Sequence, residues 1–411
     1  MVSMYRSRLL EPQIQKALRY FPALVLTGPR QSGKTTLLTR LLGKSHRYVL
    51  MDDLDKRTLA TEDPMGFLER FPPPLILDEI QNVPSLLPII KARIAEDPRP
   101  GRWVLTGSQK FTVMRNVSES LAGRTAVLNL HPFAISESLV KKRRPTPTNW
   151  AGYVKATLST HAQTAPPSPN LGSFLMHGGY PGVITKKNVP LDLWYSSYMQ
   201  TYIDRDVRGN IREENLLDFQ RFLKLLAART GQELNQASIS RDLGIAIPTL
   251  RSWLSLLEAS SLVFLLPPHH NNFGKRIIKS PKVYFMDTGL VCYLVGLQTP
   301  AHVLGSPMAG PLFETLIVSH FKKMADAFGM RERLYFWRSI DGLEVDLLID
   351  QGGPLLPIEI KLSSTLVPRH WKNIVSWRDL AKGPKTGMIV SGSAQLGPLG
   401  QGITGVHWSF L

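Results

Sequence analysis

The sequence of 411 residues predicts an α/β protein whose first domain is built around a glycine-rich loop. Three observations predict this organisation. An apolar run, Ala23–Thr27, leads into the loop, and a run typical of a helix, Thr36–Leu42, leads out of it. A later segment has three helical runs before two short strands, and the C-terminal part alternates helices with strands.

The loop fits the phosphate-loop pattern, in which two glycines are followed by Lys-Thr. Its residues, with the first residue beyond it, are Gly28, Pro29, Arg30, Gln31, Ser32, Gly33, Lys34, Thr35 and Thr36. In such a turn the backbone N–H groups and the next helix N-terminus point at phosphate oxygens. We expect Lys34 to reach the β- and γ-phosphates and the Thr35 hydroxyl to hold Mg²⁺. ATP and Mg²⁺ are therefore the predicted cofactors.

A pair of acids marks the end of a second apolar run. After the break at 72–74, residues 75–77 are apolar and lead to Asp78 and Glu79. We predict that Asp78 binds the metal through water and that Glu79 polarises the attacking water as a general base. Acids are also common where a strand ends in solvent, but the phosphate loop upstream favours the catalytic interpretation.

Two further polar positions are candidates for the same chemistry. Ser108 follows the predicted strand Trp103–Thr106 and is expected to orient the water and sense the γ-phosphate, with Thr106 as the alternative. Arg124 is expected to supply transition-state charge in cis or to a neighbouring subunit. An exposed structural arginine is the alternative unless the chain forms rings, so a homo-oligomer, ring or dimer, stays open.

Composition predicts a protein with well-formed cores, since 43% of its residues are hydrophobic and 20% are charged. The length suggests roughly two to four domains. A single cysteine, Cys292, rules out an intramolecular disulfide and a cysteine-built metal cluster and suits a reducing cytosol. No run approaches the about 18 apolar residues of a membrane span, and the first residues lack a signal-peptide pattern. We expect a cytoplasmic location and no membrane partner.

Charge favours an acidic partner. There are 49 Lys and Arg residues against 32 Asp and Glu residues, which gives a formal net charge of +17. A field of this sign attracts polyanions, with DNA as the first expectation and a membrane surface as the second. A basic soluble protein without such a partner is the alternative.

The motifs of the first third resemble the AAA-type ATPase domain of a prokaryotic family. The resemblance rests on the phosphate loop, on Asp78-Glu79-Ile80-Gln81, on Leu105–Ser108, and on Leu121–Arg124 followed by a strand that ends at His131-Pro132. Residues 1–140 are similar to an AAA domain of the AAA_14 type. The resemblance implies ATP hydrolysis and a C-terminal DUF4143 region, which holds a winged helix and a restriction-endonuclease-like domain.

Residues 141–212 are predicted to be a linker and a helical segment. A basic run, 141–144, and several prolines surround a predicted helix, Trp150–Thr160, and a second helix covers Leu191–Arg208. Arg205 and Arg208 are candidates for a nucleotide contact. Alternating charges at helical spacing that stabilise each other are the alternative.

Residues 213–300 have the element order of a winged helix. The predicted helices are 216–230, 235–243 and 248–259, and the predicted strands are 262–266 and 282–286. Contacts with DNA are expected at the start of the third helix and near the wing. The candidate residues are Thr249, Arg251, Ser252, Lys275 and Arg276, with Lys282 in the same basic cluster. Winged helices also bind proteins, so that alternative stays open.

Residues 301–411 resemble a restriction-endonuclease-like domain. Glu314 lies in a predicted helix, Asp346 in a strand, and Glu359 and Lys361 on one face of the next strand. In such sites carboxylates hold Mg²⁺ against the scissile phosphate, and the lysine stabilises charge. Glu344-Val345 replaces the proline of the family pattern, so a domain that binds or docks without cleavage is the alternative. We expect the glycine-rich residues 392–405 to be irregular.

Together these features predict an ATP-hydrolysing AAA-type protein that binds or remodels DNA, branched DNA included. Mg²⁺-dependent DNA cleavage by the nuclease-like domain stays open. The alternatives are a nucleotide-gated signalling or defence switch and a protein-remodelling ATPase with no nucleic-acid role.

Overall fold

The computed structural model describes residues 5–107, 123–139, 150–159, 170–269, 280–330, 333–353, 355–381 and 383–411. They divide into two compact units. The first unit holds Tyr5–Pro132 with Ala259–Ser261, and the second holds Phe133–Glu258 and Leu262–Leu411. The finer division of the sequence at residues 140, 212 and 300 stays a prediction.

The first unit is a parallel sheet with helices packed against it. Its strands are β1 (Ala23–Thr27), β2 (Arg47–Leu50), β3 (Leu75–Asp78), β4 (Trp103–Gly107) and β5 (Thr125–Asn129). Its helices are α1 (Glu11–Tyr20), α2 (Lys34–Leu42), α3 (Leu54–Glu62), α4 (Pro64–Arg70) and α5 (Leu86–Glu96). The strand order is β2-β3-β4-β1-β5, and every neighbouring pair is parallel.

The central strands of this sheet are buried along their whole length, which explains their continuous apolar sequence. Every residue of β1, β3 and β4 is buried, as expected for parallel strands covered on both faces. Side chains of α4 and α5, such as Phe67 and Ile90, complete the core. Because the strands are parallel, the carboxyl ends of β1, β3 and β4 meet at one edge, where ligands bind in such sheets.

The first helix is shorter than its sequence pattern predicts. The apolar spacing predicts a helix from Tyr5, but α1 begins at Glu11. Pro12 lies in the first turn, where a missing N–H costs nothing, and Glu11 places an acid at the positive end of the helix. Residues 5–10 therefore precede the helix.

The described residues at the start of the second unit, 133–139, 150–159 and 170–228, form six short to medium helices. They are α6 (Ile135–Ser138), α7 (Trp150–Leu158), α8 (Leu171–His177), α9 (Pro181–Ile184), α10 (Leu191–Tyr202) and α11 (Leu216–Ala228). The helix predicted over 191–208 changes after Tyr202 into a wider π turn, Ile203–Val207. Its tyrosines are packing residues, since Tyr195, Tyr198 and Tyr202 are each about 1% exposed.

Two more helices and a hairpin follow α11. The helices are α12 (Gln236–Leu243) and α13 (Ile247–Ala259), and the hairpin pairs β6 (Val263–Leu266) with β7 (Lys282–Phe285). The side chain of Asn235 accepts the Ser238 N–H and caps α12. Gly244 ends α12 with a φ of 69°, a conformation that favours glycine. The described elements therefore follow the predicted order of three helices and two strands.

The C-terminal part is a six-stranded mixed sheet. Its strands are β8 (Leu334–Arg338), β9 (Glu344–Asp350), β10 (Leu355–Lys361), β11 (Gly387–Ser391), β12 (Gly397–Gly400) and β13 (Ile403–His407), in the order β12-β13-β11-β10-β9-β8. The accompanying helices are α14 (Thr288–Leu294), α15 (Pro300–Gly305), α16 (Ala309–Ala327) and α17 (Lys372–Ala381). On one face of the sheet, Trp371 and Trp377 pack with Val345 and Ile389.

The expectation of an irregular tail over 392–405 is wrong. This stretch contains β12 and most of β13, and β13 pairs in parallel with β11. The glycines that suggested irregularity allow close packing instead. A Cβ on Gly405 would lie 2.6 Å from the carbonyl oxygen of Gln395, and Gly402 has a φ of 72°.

A buried carboxylate joins three segments of the second unit. Asp287 is 2% exposed, and its oxygens accept hydrogen bonds from Gly179 N at 2.6 Å, Leu290 N at 2.9 Å and the Tyr195 hydroxyl at 2.9 Å. The Leu290 contact is also the cap of α14. One side chain therefore fixes the turn after α8, the tyrosine-rich helix α10 and the start of α14.

No helix among the described residues is both long enough and apolar enough to cross a membrane.

Replacement of Asp287 by alanine is expected to destabilise the second unit strongly. Three buried donors would lose their acceptor, and each unsatisfied group costs about 1–3 kcal/mol. We expect the free energy of unfolding, measured in urea, to fall by about 3 kcal/mol or more. Asp192→Ala, at an exposed position on α10, is the control and should stay within about 0.5 kcal/mol of wild type. Equal stabilities for the two variants would contradict this role.

Candidate functional site

The phosphate loop has the strand–loop–helix context that the sequence predicts. It leaves β1 at Thr27 and enters α2 at Lys34. Three of its residues have positive φ angles, which are 145° at Gly28, 59° at Gln31 and 93° at Gly33. A Cβ at Gly28 would lie 2.2 Å from the carbonyl oxygen of Leu130. Glycine is therefore required there both by the backbone angle and by the close approach.

Two side chains of the loop supply groups that suit a phosphate. The Lys34 ammonium donates to the carbonyls of Gly28 at 2.9 Å and Pro29 at 3.1 Å, so it bends back across the loop. The Ser32 hydroxyl is buried and has no hydrogen-bond partner among the described residues. An ammonium, a buried hydroxyl and the N-terminus of α2 together form a donor set that fits anionic phosphate oxygens.

The carboxylate of Asp78 gathers hydroxyl groups from three elements. Its Oδ2 accepts from Thr35 Oγ1 at 2.7 Å and from the Tyr48 hydroxyl at 2.5 Å. Its Oδ1 accepts from the Thr106 hydroxyl and from Glu79 N. The side chain is 2% exposed. Thr35 and Asp78, which the sequence predicts as a metal site, therefore meet, and their hard oxygen atoms fit Mg²⁺.

Glu79 follows Asp78 in an unusual backbone conformation. Its φ is 58°, in the left-handed region that non-glycine residues rarely adopt. Gln81 Nε2 donates to Glu79 Oε2 and fixes the direction of the carboxylate. Residues held in such conformations are concentrated at functional sites. The half-buried Glu79 is thus held at the same edge of the sheet as Thr35 and Asp78.

Arg8 supports the phosphate loop, and the sequence analysis did not identify it. Its guanidinium donates to the carbonyl of Ser32 at 2.9 Å and to that of His131 at 2.6 Å. The side chain is 7% exposed. Arg8 therefore ties the segment before α1 to the loop and to the turn after β5. No local pattern signals this role, because the partners are carbonyl groups far along the chain.

Of two further predicted residues, the structure describes only Arg124. Ser108 lies outside the described residues. Arg124 is exposed and lies just before β5, and its carbonyl accepts from Ala23 N at the start of β1. The phosphate loop follows the other end of β1, which is five residues long. Arg124 therefore lies at the opposite edge of the sheet from the loop of its own chain, and a catalytic role in trans stays a prediction.

A second group of charges lies in the C-terminal sheet. Lys361 Nζ lies 2.6 Å from Glu359 Oε1 and 3.5 Å from Asp346 Oδ2. Asp346 Oδ2 also accepts Ile360 N at 2.8 Å. Glu359 is 1% exposed, and its Oε2 has no hydrogen-bond partner among the described residues. Burial, and next the charge of Asp346, raise the pKa of Glu359 well above its usual value. These three predicted residues therefore come together.

Glu314 accepts hydrogen bonds from two side chains of β7. Its Oε1 accepts from Lys282 Nζ at 3.1 Å and from the Tyr284 hydroxyl at 2.5 Å. Lys282 Nζ also lies 2.5 Å from Glu344 Oε1. Burial raises the pKa of Glu314. In the described part of the chain, no group of three or more His, Cys, Asp or Glu side chains is arranged to hold a metal ion.

The predicted DNA-contact residues are partly accessible. Arg251 and Ser252 are exposed on α13, Thr249 is half-buried, and Arg251 Nε donates to Gln236 Oε1 at 2.9 Å. Lys275 and Arg276 lie outside the described residues. Lys282 is 4% exposed and ion-paired, so this member of the basic cluster is not available to a DNA phosphate.

Arg208 was a candidate for a nucleotide contact, with an ion pair at helical spacing as the alternative, and the structure shows the ion pair. Arg208 Nε lies 3.2 Å from Asp204 Oδ1, four residues earlier. An exposed pair at this spacing contributes a few tenths of a kcal/mol.

Comparison with known families divides the chain into three segments. Residues 20–139 match the model of an AAA domain of the AAA_14 type. The N-terminal part of this protein therefore contains an AAA domain. Residues 168–301 match a domain of unknown function, DUF8612, and residues 309–411 match another, DUF4143. The AAA_14 and DUF4143 parts of the resemblance are thus confirmed.

Two curated relatives are similar over most of the chain. An uncharacterized protein of Mycobacterium tuberculosis is 29% identical over 357 residues, which is 86% of this chain and 73% of the relative. An uncharacterized protein of Mycobacterium bovis matches to the same extent. Among solved structures, a Walker-type ATPase of Pyrococcus abyssi is 15% identical, with a TM-score of 0.44, over 71% of this chain and 96% of that one.

Removal of the Lys282 ammonium is expected to destabilise the second unit. Lys282→Met leaves the half-buried Glu314 without its cation and leaves Glu344 with only Arg338, at 3.9 Å, and breaking a buried ion pair costs about 3–5 kcal/mol. The free energy of unfolding in urea is the measurement. Arg212→Gln is the control, because Arg212 is 84% exposed and pairs with Glu214 at the surface of the same unit, where a pair contributes about 0–1 kcal/mol. A loss below about 1 kcal/mol for Lys282→Met would refute the structural role.

Proposed function

We propose that this protein binds ATP with Mg²⁺, hydrolyses it, and uses the hydrolysis to bind or remodel DNA, branched DNA included. One observation carries the first part of the proposal. Thr35 and Asp78 share a hydrogen bond of 2.7 Å at the sheet edge where the phosphate loop begins. This pairing joins the two halves of a nucleotide site within the segment that matches an AAA domain.

In the proposed mechanism each residue has a separate task. The loop N–H groups and the Lys34 ammonium bind the β- and γ-phosphates. Thr35, and Asp78 through water, would hold Mg²⁺, which would supply positive charge that offsets the charge of the transferred phosphoryl group. The Glu79 carboxylate accepts a proton from the attacking water, and Gln81 keeps that carboxylate in position. The water oxygen bonds to the γ-phosphorus as the bond to the leaving ADP oxygen breaks.

Substitutions at Lys34 and Glu79 should separate binding from hydrolysis. Lys34→Ala removes the phosphate cation, so we expect both ATP binding and phosphate release to be lost. Glu79→Gln keeps the shape but not the base, so we expect ATP binding to persist while the hydrolysis rate falls about 100-fold or more. Labelled-ATP retention and released phosphate are the measurements.

Lys91→Ala, at an exposed position on α5 of the same unit, is the control for these variants and should behave as wild type. Retained hydrolysis in Lys34→Ala would refute the nucleotide site. So would a wild-type protein that neither binds ATP nor releases phosphate.

Three features support DNA as the partner. The formal net charge is +17, α11, α12 and α13 precede a two-stranded hairpin in the order of a winged helix, and Arg251 and Ser252 are exposed at the start of α13. In a winged helix this helix enters the major groove. We propose that α13 is the recognition helix and that Arg251 contacts the DNA.

Substitution of Arg251 tests this interface. Arg251→Ala should weaken DNA binding and make the slope of log affinity against log salt shallower by about one. Arg221→Ala, which is 63% exposed on α11 and pairs with Asp218, is the control. ATP hydrolysis is measured in parallel with single-stranded, duplex and four-way-junction DNA. If DNA neither stimulates hydrolysis nor binds with salt sensitivity, the partner is a protein or the ATPase acts as a nucleotide-gated switch.

Mg²⁺-dependent DNA cleavage is a second candidate activity, and the position of Lys361 between Asp346 and Glu359 favours it. The engagement of Glu314 by Lys282 and Tyr284 weighs against it. Nicking of plasmid DNA with Mg²⁺ or Mn²⁺ is the test. If this site cuts, a Glu359→Ala/Lys361→Ala double variant should lose all nicking, whereas cleavage that survives in the double variant would exclude the site.

A further inference from the structure

We propose that Tyr48 is a positioning residue of the nucleotide site: its hydroxyl holds Asp78 in the orientation in which Asp78 and Thr35 together take Mg²⁺. The inference rests on the proposed ATP hydrolysis. None of the sequence motifs described above includes Tyr48.

The register of the sheet places Tyr48 beside Asp78. In the parallel pair β2–β3, Leu50 lies opposite Asp78, so Tyr48 comes two residues earlier on the same face of β2. The long phenol ring spans this offset. Its hydroxyl lies 2.5 Å from Asp78 Oδ2. The edge strand β2 therefore contributes one polar group to the site, because the Tyr48 side chain is long enough for its hydroxyl to reach Asp78.

Two hydroxyl groups converge on the same carboxylate oxygen. Thr35 Oγ1 donates to Asp78 Oδ2 at 2.7 Å, next to the Tyr48 contact at 2.5 Å. The other oxygen, Oδ1, accepts from Thr106 and from the backbone of Glu79. With both oxygens held from two sides, the carboxylate plane cannot rotate without the loss of at least one hydrogen bond. Thr35 has a partner whose position is fixed before any metal arrives.

The direction of the Tyr48 hydrogen bond follows from the chemistry of its two groups. The Tyr48 hydroxyl donates to Asp78 Oδ2, because a phenol O–H is a donor and a carboxylate oxygen is an acceptor. Tyr48 does not exchange a proton with the reacting water. Its effect passes through Asp78.

The expected consequence is a change in metal affinity rather than in nucleotide affinity. Loss of a group that orients a metal ligand typically weakens metal binding about 10–100-fold. Tyr48→Phe removes one oxygen atom and keeps the ring. We expect the Mg²⁺ concentration for half-maximal hydrolysis to rise about tenfold. ATP binding in EDTA should not change, because the phosphate loop is intact.

The test uses the full chain and three measurements. ATP binding is measured in EDTA, and hydrolysis is measured across a Mg²⁺ titration. Mn²⁺ binding in the presence of a non-hydrolysable ATP analogue is followed by electron paramagnetic resonance, which reads the metal site without turnover. Tyr20→Phe is the matched control, because Tyr20 is 71% exposed on α1 of the same unit.

The outcomes separate this inference from the proposed function. If wild type hydrolyses ATP and Tyr48→Phe keeps the wild-type Mg²⁺ and Mn²⁺ midpoints, the role of Tyr48 is refuted and the ATPase stands. If Tyr48→Phe weakens ATP binding in EDTA as much as metal binding, Tyr48 supports the fold and not the metal ligand. If wild type shows no ATP binding, the proposed function and this inference fail together. A rise in both metal midpoints with unchanged binding in EDTA supports the proposal.

Discussion

The buried carboxylate of Asp78 is the constraint on which the candidate nucleotide site depends. A carboxylate that is 2% exposed must have its oxygens satisfied, and here the donors come from β2, α2 and β4 and from the backbone of the next residue. Each donor must therefore lie within hydrogen-bond distance of a single group. That requirement fixes the end of three neighbouring strands against the start of α2, and it places Glu79 beside them.

In the second unit, buried and half-buried carboxylates are satisfied by ion pairs with lysines. Lys282 and Lys361 are placed among four acids, Glu314, Glu344, Asp346 and Glu359. Arg338 also lies 3.9 Å from Glu344, so three cations face four carboxylates, and burial, followed by the charge of Asp346, raises the pKa of Glu359 well above its usual value. The ion pairs also join β7 to α16 and β9, so the hairpin is held to the C-terminal sheet by charge. This use of Lys282 removes it from the basic surface that a polyanion would meet.

Much of the first unit was predictable because its signals are local. A phosphate loop is defined by a few consecutive residues, and the positive φ angles of that loop favour glycine at Gly28 and Gly33. The apolar runs of β1, β3 and β4 follow from burial on both faces of a parallel sheet.

The prediction of an irregular tail over residues 392–405 was wrong because glycine is common both in irregular segments and where two backbone segments pack closely. At Gly405 glycine permits the close approach of another backbone segment. The sequence does not reveal this packing, because it depends on the pairing of β13 with its neighbouring strands.

Sequence alone predicts the strand–loop–helix at Gly28–Thr35, the acids at the end of β3, and the order of helices and strands that follows. These features depend on periodicity and turn residues, which act within a few positions of the chain. The folded chain was needed to show that Tyr48 contacts Asp78 and Arg8 contacts the phosphate loop. It also shows that Arg124 lies at the far edge of its own sheet and that Lys282 is paired with Glu314. These facts depend on strand order, register and burial, which bring together groups that are distant in sequence and leave no local pattern.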